Sequence, residues 1–148
     1  MNLYAESSAV LSWLLGEKRG EAARERLLAA DMVITSDLTL VECDRALHRA
    51  EAVDELEAET VKSMRERFFA ATDHWIVFSI DREVVERSRR RFPREPIRSL
   101  DAIHLTTALL VRSLVTELEL LCWDERIREN ADELGFDVTP NTGEETNR

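Results

Sequence analysis

Hydrophobic and polar positions follow two periodicities that alternate along the chain. Short runs of apolar, β-branched and aromatic residues, bounded by polar or turn-forming residues, have the pattern of buried β-strands. Strands are predicted at residues 2–5, 32–36, 75–80, 119–123 and 136–139. The intervening segments carry apolar residues at the three- and four-residue spacing of amphipathic helices. Helices are predicted at residues 7–16, 19–30, 38–50, 54–71, 82–91, 100–113 and 125–134.

Residue types at the helix ends support these boundaries. Ser7 or Ser8 is predicted to cap the first helix, and Gly16 to end it. Pro93 and Pro96 interrupt the helical pattern, so the next helix is expected to start at Ser99.

Strands that alternate with helices predict an α/β sandwich with a mainly parallel sheet, because parallel neighbours need crossover connections. With 148 residues, 44% of them hydrophobic, the chain fits one domain with a sizeable core. We predict a domain at residues 1–139 and a polar tail at 140–148. No run approaches the roughly 20 apolar residues of a membrane span, and no basic leader opens the chain, so a cytoplasmic protein without membrane contact is expected.

Four carboxylates lie in apolar or small-residue surroundings where a solvated acid is not expected. They are Glu6, Glu42, Asp101 and Asp124, within the strings LYAESSAVLSWLL, TSDLTLVECDRAL, IRSLDAIHLTTALLV and LELLCWDERIRENADELGF. Glu6 follows the first predicted strand and Asp124 the fourth, at the strand ends where parallel sheets collect ligands. Asp101 lies in the first turn of an otherwise apolar helix, where free amides and the helix dipole stabilise an ionised acid.

These acids favour a metal site. Burying several ionised carboxylates together is prohibitive unless a cation compensates them or they share protons. A shared divalent ion is the simplest compensation, and oxygen ligands without His or Cys favour Mg²⁺ or Mn²⁺ over zinc. Whether the site holds one ion or two stays open.

Charge is unevenly distributed along the chain. The net charge of −10 argues against a general polyanion binder. However, six arginines crowd the twelve residues that lead towards Asp101, at Arg87, Arg89, Arg90, Arg91, Arg94 and Arg98. They form either a basic rim beside an acidic pocket or an ordinary solvated surface. Arg45 and Arg98 either hold a phosphate or neutralise the nearby acids.

Taken in order, these motifs resemble the PIN-domain ribonucleases, especially the VapC-type toxins of toxin–antitoxin pairs. The resembling features are an acid after the first strand followed by small hydroxyl residues, an L-T-x-V-E segment, an R-S-L-D-A-I-H-L helix start and a strand ending in D-E-R. They span residues 2–138. The resemblance implies a PIN-like three-layer α/β/α sandwich with a central, mainly parallel five-stranded sheet.

The resemblance also implies a function. The chain is expected to be a Mg²⁺- or Mn²⁺-dependent endoribonuclease that cleaves RNA, is neutralised by a cognate antitoxin protein and forms a homodimer. Glu6, Asp101 and Asp124 would bind the metal, with Glu42 as a fourth catalytic acid whose independent case is the weakest. Ser8 would lie beside the attacking water or the phosphate. Substrate-binding roles are predicted for Ser8, Arg45 and Arg98.

One position departs from the family pattern. The resembling proteins carry aspartate at the first acid, whereas this chain carries Glu6, whose extra methylene shifts the carboxylate by about 1.5 Å. The alternative is therefore a PIN-like protein with an attenuated or inactive site that acts by binding RNA or protein. His104 follows Asp101 by one turn, but its apolar helix favours a hydrogen-bonded core histidine.

Overall fold

The computed structural model describes residues 1–141. The strands are β1 (Asn2–Ala5), β2 (Met32–Ser36), β3 (Ile76–Phe78), β4 (Leu118–Leu121) and β5 (Asp137–Thr139). The helices are α1 (Ser7–Leu14), α2 (Gly20–Ala29), α3 (Asp37–Ala52), α4 (Ala58–Thr72), α5 (Arg82–Ser88), α6 (Ser99–Leu114) and α7 (Glu125–Glu133). The predicted domain boundary at residue 139 coincides with the end of β5, and residues 142–148 of the predicted tail lie outside the described residues.

All neighbouring strands of the sheet are parallel, in the order β3-β2-β1-β4-β5. β1 is central, with Tyr4 opposite both Ile34 and Leu120. Parallel strands present their carboxyl ends at one edge of a sheet, so the segments that follow β1 and β4 meet there. This topology brings residues from opposite ends of the sequence together.

Helices cover both faces of the sheet. Side chains alternate along a strand, so Tyr4 packs into a cluster with residues of α6 and α7, including Leu105 and Ile127. Leu3 and Ala5 point to the opposite face, towards α1 and α2. The predicted three-layer α/β/α sandwich with a five-stranded sheet is confirmed. No helix within residues 1–141 is long and apolar enough to cross a bilayer.

Two predicted helices are shorter than expected by three residues, and the other helix ends agree more closely with prediction. The helix predicted at 54–71 begins at Ala58, because Asp54 has a positive φ of 57° and the amides of Glu55 and Leu56 bond to the Ala50 carbonyl, which closes α3. The helix predicted at 82–91 ends at Ser88. Gly16, with φ of 67°, follows the end of α1 as predicted.

Candidate active site

A cavity of roughly 670 Å³ opens at the carboxyl-terminal edge of the sheet. It is lined by all the predicted acids, namely Glu6, Glu42, Asp101 and Asp124. Each comes from a different segment: Glu6 precedes α1, Asp124 precedes α7, Glu42 lies on α3, and Asp101 is the third residue of α6. The fold therefore gathers carboxylates that are far apart in sequence.

Glu6 is held in one orientation by three donors. Its carboxylate caps α1, a role predicted for Ser7 or Ser8, and its Oε2 accepts from the amide of Ser8 at 3.0 Å. The Ser8 hydroxyl and the Cys122 thiol, at 3.1 Å, also donate to this oxygen. Burial raises the pKa of Cys122, with the charge of Glu6 adding to the effect, so the thiol stays protonated and can donate. Oε1 lies 3.7 Å from Nε2 of His104.

Glu42 is held by side chains of two other helices. Its Oε1 accepts from the Ser7 hydroxyl at 2.6 Å and from Nε2 of His104 at 2.5 Å. Burial opposes ionisation of Glu42, but the hydrogen bonds from His104 and Ser7 outweigh it, and its pKa is lowered. The arrangement thus favours a fixed, ionised carboxylate.

His104 lines the cavity and holds Glu42, a role that the sequence did not assign to it. As predicted, it is a hydrogen-bonded core residue, only 1% exposed. Its Nδ1 lies 3.1 Å from the Tyr4 hydroxyl, and its Nε2 lies 2.9 Å from Ser7 Oγ in addition to its contact with Glu42. Its spacing of three residues from Asp101 puts both on one helix face, but that spacing alone did not distinguish a neighbour of the site from a core histidine.

Asp101 and Asp124 each cap a helix with one oxygen. Asp101 Oδ2 accepts from the backbone amide of Arg98 at 3.2 Å, and Asp124 Oδ1 accepts from the amide of Ile127 at 3.2 Å. Arg98 is the N-cap of α6, which starts at Ser99 as predicted. The second oxygen of each aspartate makes no hydrogen bond within residues 1–141, so it can serve a ligand.

The predicted substrate-binding residues behave differently from one another. Arg98 lines the cavity with its side chain 70% exposed, and its Nε lies 3.8 Å from Asp101 Oδ2. Ser8 also lines the cavity, but its hydroxyl already bonds Glu6 and the amides of Trp123 and Asp124. The structure does not bring Arg45 to the cavity, because its side chain is exposed on the surface of α3.

The donor set fits a hard divalent cation. Ligand atoms of Glu6, Glu42 and His104 lie within 4.8 Å of one another. We assign the His104 proton to Nε2, because the Tyr4 hydroxyl can then donate to Nδ1 while Nε2–H donates to Glu42. That tautomer leaves the imidazole no lone pair for a cation. The available donors are carboxylate oxygens, which Mg²⁺ and Mn²⁺ prefer.

The fold is an α/β/α sandwich with carboxylates gathered at the carboxyl ends of its parallel strands. Sequence comparison identifies the family to which this class of protein belongs. The profile of the PIN domain matches residues 3–133, and the chain belongs to this family. It is 32% identical to Ribonuclease VapC46 of Mycobacterium tuberculosis, over 92% of this chain and 95% of that protein. It is 34% identical to Ribonuclease VapC35 of the same species, over 92% of this chain and 94% of that protein.

Solved structures agree on the fold. FitAcB from Neisseria gonorrhoeae aligns over 95% of this chain and 97% of its own, with a TM-score of 0.69 and 17% identity. A toxin–antitoxin complex from Klebsiella pneumoniae aligns over 95% of this chain and 98% of its own, with a TM-score of 0.62 and 22% identity. The resemblance to VapC-type PIN proteins inferred from the motifs is confirmed.

Proposed function

We propose that this chain is a Mg²⁺- or Mn²⁺-dependent endoribonuclease and the toxin of a toxin–antitoxin pair. The observation that carries the proposal is the convergence of Glu6, Glu42, Asp101 and Asp124 on one cavity in a PIN domain. The names of the M. tuberculosis relatives support ribonuclease activity. Hydrolysis of phosphodiester bonds is the chemistry that a carboxylate-bound divalent ion serves well.

Glu6, Asp101 and Asp124 would hold the ion, with Glu42 as the fourth acid around it. When bound, Mg²⁺ or Mn²⁺ supplies a Lewis acid that activates water and stabilises charge developing on the phosphate. The protein contributes a prepared set of ligands. Ser7 and His104 fix Glu42, while Ser8 and Cys122 fix Glu6. Holding ligands in place beforehand matters because displacements of about 1 Å can cost about a hundredfold in rate.

The residues near the cavity rim would act on the RNA. Arg98 is exposed beside Asp101 and can pair with a phosphate without leaving its own helix end. We assign Ser8 a positioning role, because its hydroxyl joins Glu6 to the backbone that follows β4. Arg45 is not included, since its side chain does not reach the cavity.

Glu6 remains the position that could weaken activity. The alternative, a PIN-like protein that only binds RNA or protein, is not favoured by the relatives, which are named as ribonucleases. The hydrogen bonds from Ser8 and Cys122 hold the longer Glu6 side chain in one position in the wall of the cavity. We infer that Glu6 lowers the rate of RNA cleavage in the presence of Mg²⁺ without abolishing it.

An antitoxin partner is proposed by analogy with the solved complexes. The K. pneumoniae structure is described as a toxin–antitoxin complex, and another fold neighbour is VapBC2 from Rickettsia felis bound to promoter DNA. Homodimerisation, expected from the family resemblance, and a cytoplasmic location, expected from the sequence, stay predictions. The RNA target is likewise to be determined by experiment.

The test is cleavage of purified RNA by the purified chain. We expect endonucleolytic products with 5′ phosphates in Mn²⁺ or Mg²⁺, no cleavage in excess chelator, and no requirement for zinc. An Asp101→Asn preparation purified in parallel controls for contaminating ribonuclease. Equal cleavage by both preparations, or full turnover in chelator, would contradict the proposal.

A further inference from the structure

Residues 87–98, which we call the arginine segment, carry a charge opposite to that of the chain. The segment has six arginines and one acid, Glu95, for a local net charge of +5 in a chain of −10. Both oxygens of the Glu95 carboxylate are occupied by backbone amides of the segment itself, at Phe92 and Ile97, each at 3.0 Å. This carboxylate therefore stabilises the turn rather than pairing with an arginine.

Some of the arginines already have partners. Arg94 forms an ion pair with Glu133 at 3.0 Å, and Arg89 lies 3.5 Å from Glu86. The guanidinium of Arg87 lies 4.3 Å from the ring centroid of Phe92. Arg90 and Arg91 are exposed, and neither forms an ion pair with any residue of 1–141. These two are the cations of the segment that have no ion-pair partner, whereas Arg98, 70% exposed, lies 3.8 Å from Asp101 Oδ2.

One end of the arginine segment contacts α6, and the other end lines the acidic cavity. Next to Arg87, the Ser88 hydroxyl donates to Thr106 Oγ1 at 3.0 Å and lies 3.4 Å from the carbonyl oxygen of Ala102, the residue after Asp101. At the other end, Ile97 and Arg98 line the cavity itself. Arg90 and Arg91 therefore lie two or three residues from a contact with the helix that carries Asp101.

We propose that the arginine segment is the surface that docks the RNA backbone and leads it to the acidic cavity, an inference that rests on the proposed ribonuclease function. Free guanidinium groups recognise phosphates through charge and paired hydrogen bonds. The segment's aromatic residue, Phe92, is buried beneath Arg87 and offers no stacking platform for bases. The surface therefore contributes affinity and register but little sequence specificity.

RNA fits this surface better than a protein partner does. The core of a protein interface is depleted in charge and enriched in apolar and aromatic residues, whereas the exposed positions at 89–96 are arginine, proline and glutamate. A cationic surface beside an anionic cavity also solves an electrostatic problem. An acidic chain would otherwise repel the polyanion whose cleavage we propose.

The test compares two double variants with the same change in net charge. Arg90→Gln with Arg91→Gln removes the free cations of the segment. Arg49→Gln with Lys62→Gln removes two exposed positive charges from α3 and α4 and is the control. The probe is a fluorescently labelled single-stranded RNA of about 20 nucleotides, longer than typical single-strand sites of roughly 4–16 nucleotides. Binding is measured in excess chelator between about 50 and 200 mM NaCl, with intact RNA verified on a gel.

We expect the Arg90/Arg91 variant to bind RNA about tenfold more weakly at low salt, because each lost phosphate contact removes counterion release. The slope of log K against log salt should fall by about 0.7 for each arginine that contacts a phosphate. The control should lose little affinity and keep its slope. In cleavage assays with Mn²⁺, the Arg90/Arg91 variant should show a raised KM with kcat unchanged.

Other outcomes overturn the inference. Equal losses in the two variants would show a general effect of net charge, and unchanged affinity and slope would make the segment a solvated surface or a site for a protein partner. Melting temperatures of both variants must match the parent. If the parent binds RNA through the arginines but never cleaves it, the proposed function fails and the docking surface stands. If the parent cleaves while the Arg90/Arg91 variant behaves like the control, only the docking surface fails.

Discussion

Two concave surfaces of this protein are rich in acids, and they differ in almost every other respect. One is the candidate active site. The other, which we call the α7–β5 cavity, is lined by four acids, namely Glu125, Glu129, Asp132 and Asp137. Those acids are exposed, so water solvates them. In the active site, Glu6 is 4% exposed and Asp101 is 7% exposed.

The two surfaces also differ in what surrounds the carboxylates. In the candidate active site, five hydrogen-bond donors hold Glu6 and Glu42 in fixed positions: a backbone amide, two hydroxyls, a thiol and an imidazole. The guanidinium of Arg128, which lines the α7–β5 cavity, donates instead to the carbonyl oxygens of Cys122 and Pro140. The comparison teaches that acid content alone does not define a metal site. Several carboxylates held together in partly buried positions are costly to ionise, and a shared cation offsets that cost.

The largest expected effect is that of Asp101→Asn in the candidate active site, and Asp137→Asn in the α7–β5 cavity is its control. Asp101→Asn should reduce RNA cleavage at least about a hundredfold, because it removes a proposed metal ligand and its negative charge. Its melting temperature without metal should be unchanged or raised, since repulsion among the acids is relieved. The amide oxygen can still cap α6. Asp137→Asn, in the α7–β5 cavity, should change neither rate nor stability.

Metal binding provides the second readout for this pair. An ion at about 100 times its Kd stabilises a protein by about 2.7 kcal/mol, which is a rise of several degrees in melting temperature. The parent and Asp137→Asn should show this rise with Mn²⁺, and Asp101→Asn should lose most of it. Equal loss of the Mn²⁺ response in both variants would mean that the two cavities do not differ as metal sites.

His104→Gln should have the next largest effect, because it removes a side chain that holds Glu42 rather than one of the proposed metal ligands. Removing the imidazole releases Glu42 and leaves the Tyr4 hydroxyl without its partner. Loss of such supporting contacts typically costs 10- to 100-fold in metal affinity or activity. We expect weaker Mn²⁺ binding in a thermal titration and a lower kcat, partly recovered at high Mn²⁺. His74→Gln, at an exposed position, is the control.

An unaltered Mn²⁺ titration in a folded His104→Gln variant would contradict this positioning role. Tyr4→Phe offers a milder version of the same test, since it removes only the hydroxyl that faces Nδ1. A smaller loss than that of His104→Gln is expected, because Nε2 can still donate to Glu42.

Sequence patterns predicted the fold and the convergence of the acids, since each acid is a local anomaly in its own segment. The contacts that hold the acids were not predictable in this way. Ser7 bonds Glu42 across 35 residues, and Cys122 bonds Glu6 across 116. Such bonds depend on how elements pack, which no local pattern encodes. Arg45 shows another limit of local pattern, because it lies near Glu42 on α3 but its exposed side chain does not line the cavity.

The smallest expected effect concerns Glu6, at the position where the motif resemblance leads us to expect aspartate. Glu6→Asp shortens the side chain by about 1.5 Å and weakens its hydrogen bond with the Cys122 thiol, while aspartate remains a good cap for α1. We expect cleavage with Mg²⁺ to rise severalfold. With Mn²⁺ the gain should be smaller, because Mg²⁺ demands near-ideal octahedral geometry. Glu125→Asp, the same shortening in the α7–β5 cavity, should have no effect.

Initial rates of parent and Glu6→Asp on one RNA, with each ion, decide between accommodation and attenuation. A faster variant with Mg²⁺ means that the longer side chain holds the ion away from its best geometry, and the parent should then recover most of the difference in Mn²⁺. If the parent already cleaves as fast as Glu6→Asp with Mg²⁺, the attenuation hypothesis is wrong, and the bonds from Ser8 and Cys122 accommodate the extra methylene at no catalytic cost. The hydrogen-bond donors around Glu6 would then hold its carboxylate in a productive position despite the longer side chain. The exposed acids of the α7–β5 cavity have no such support.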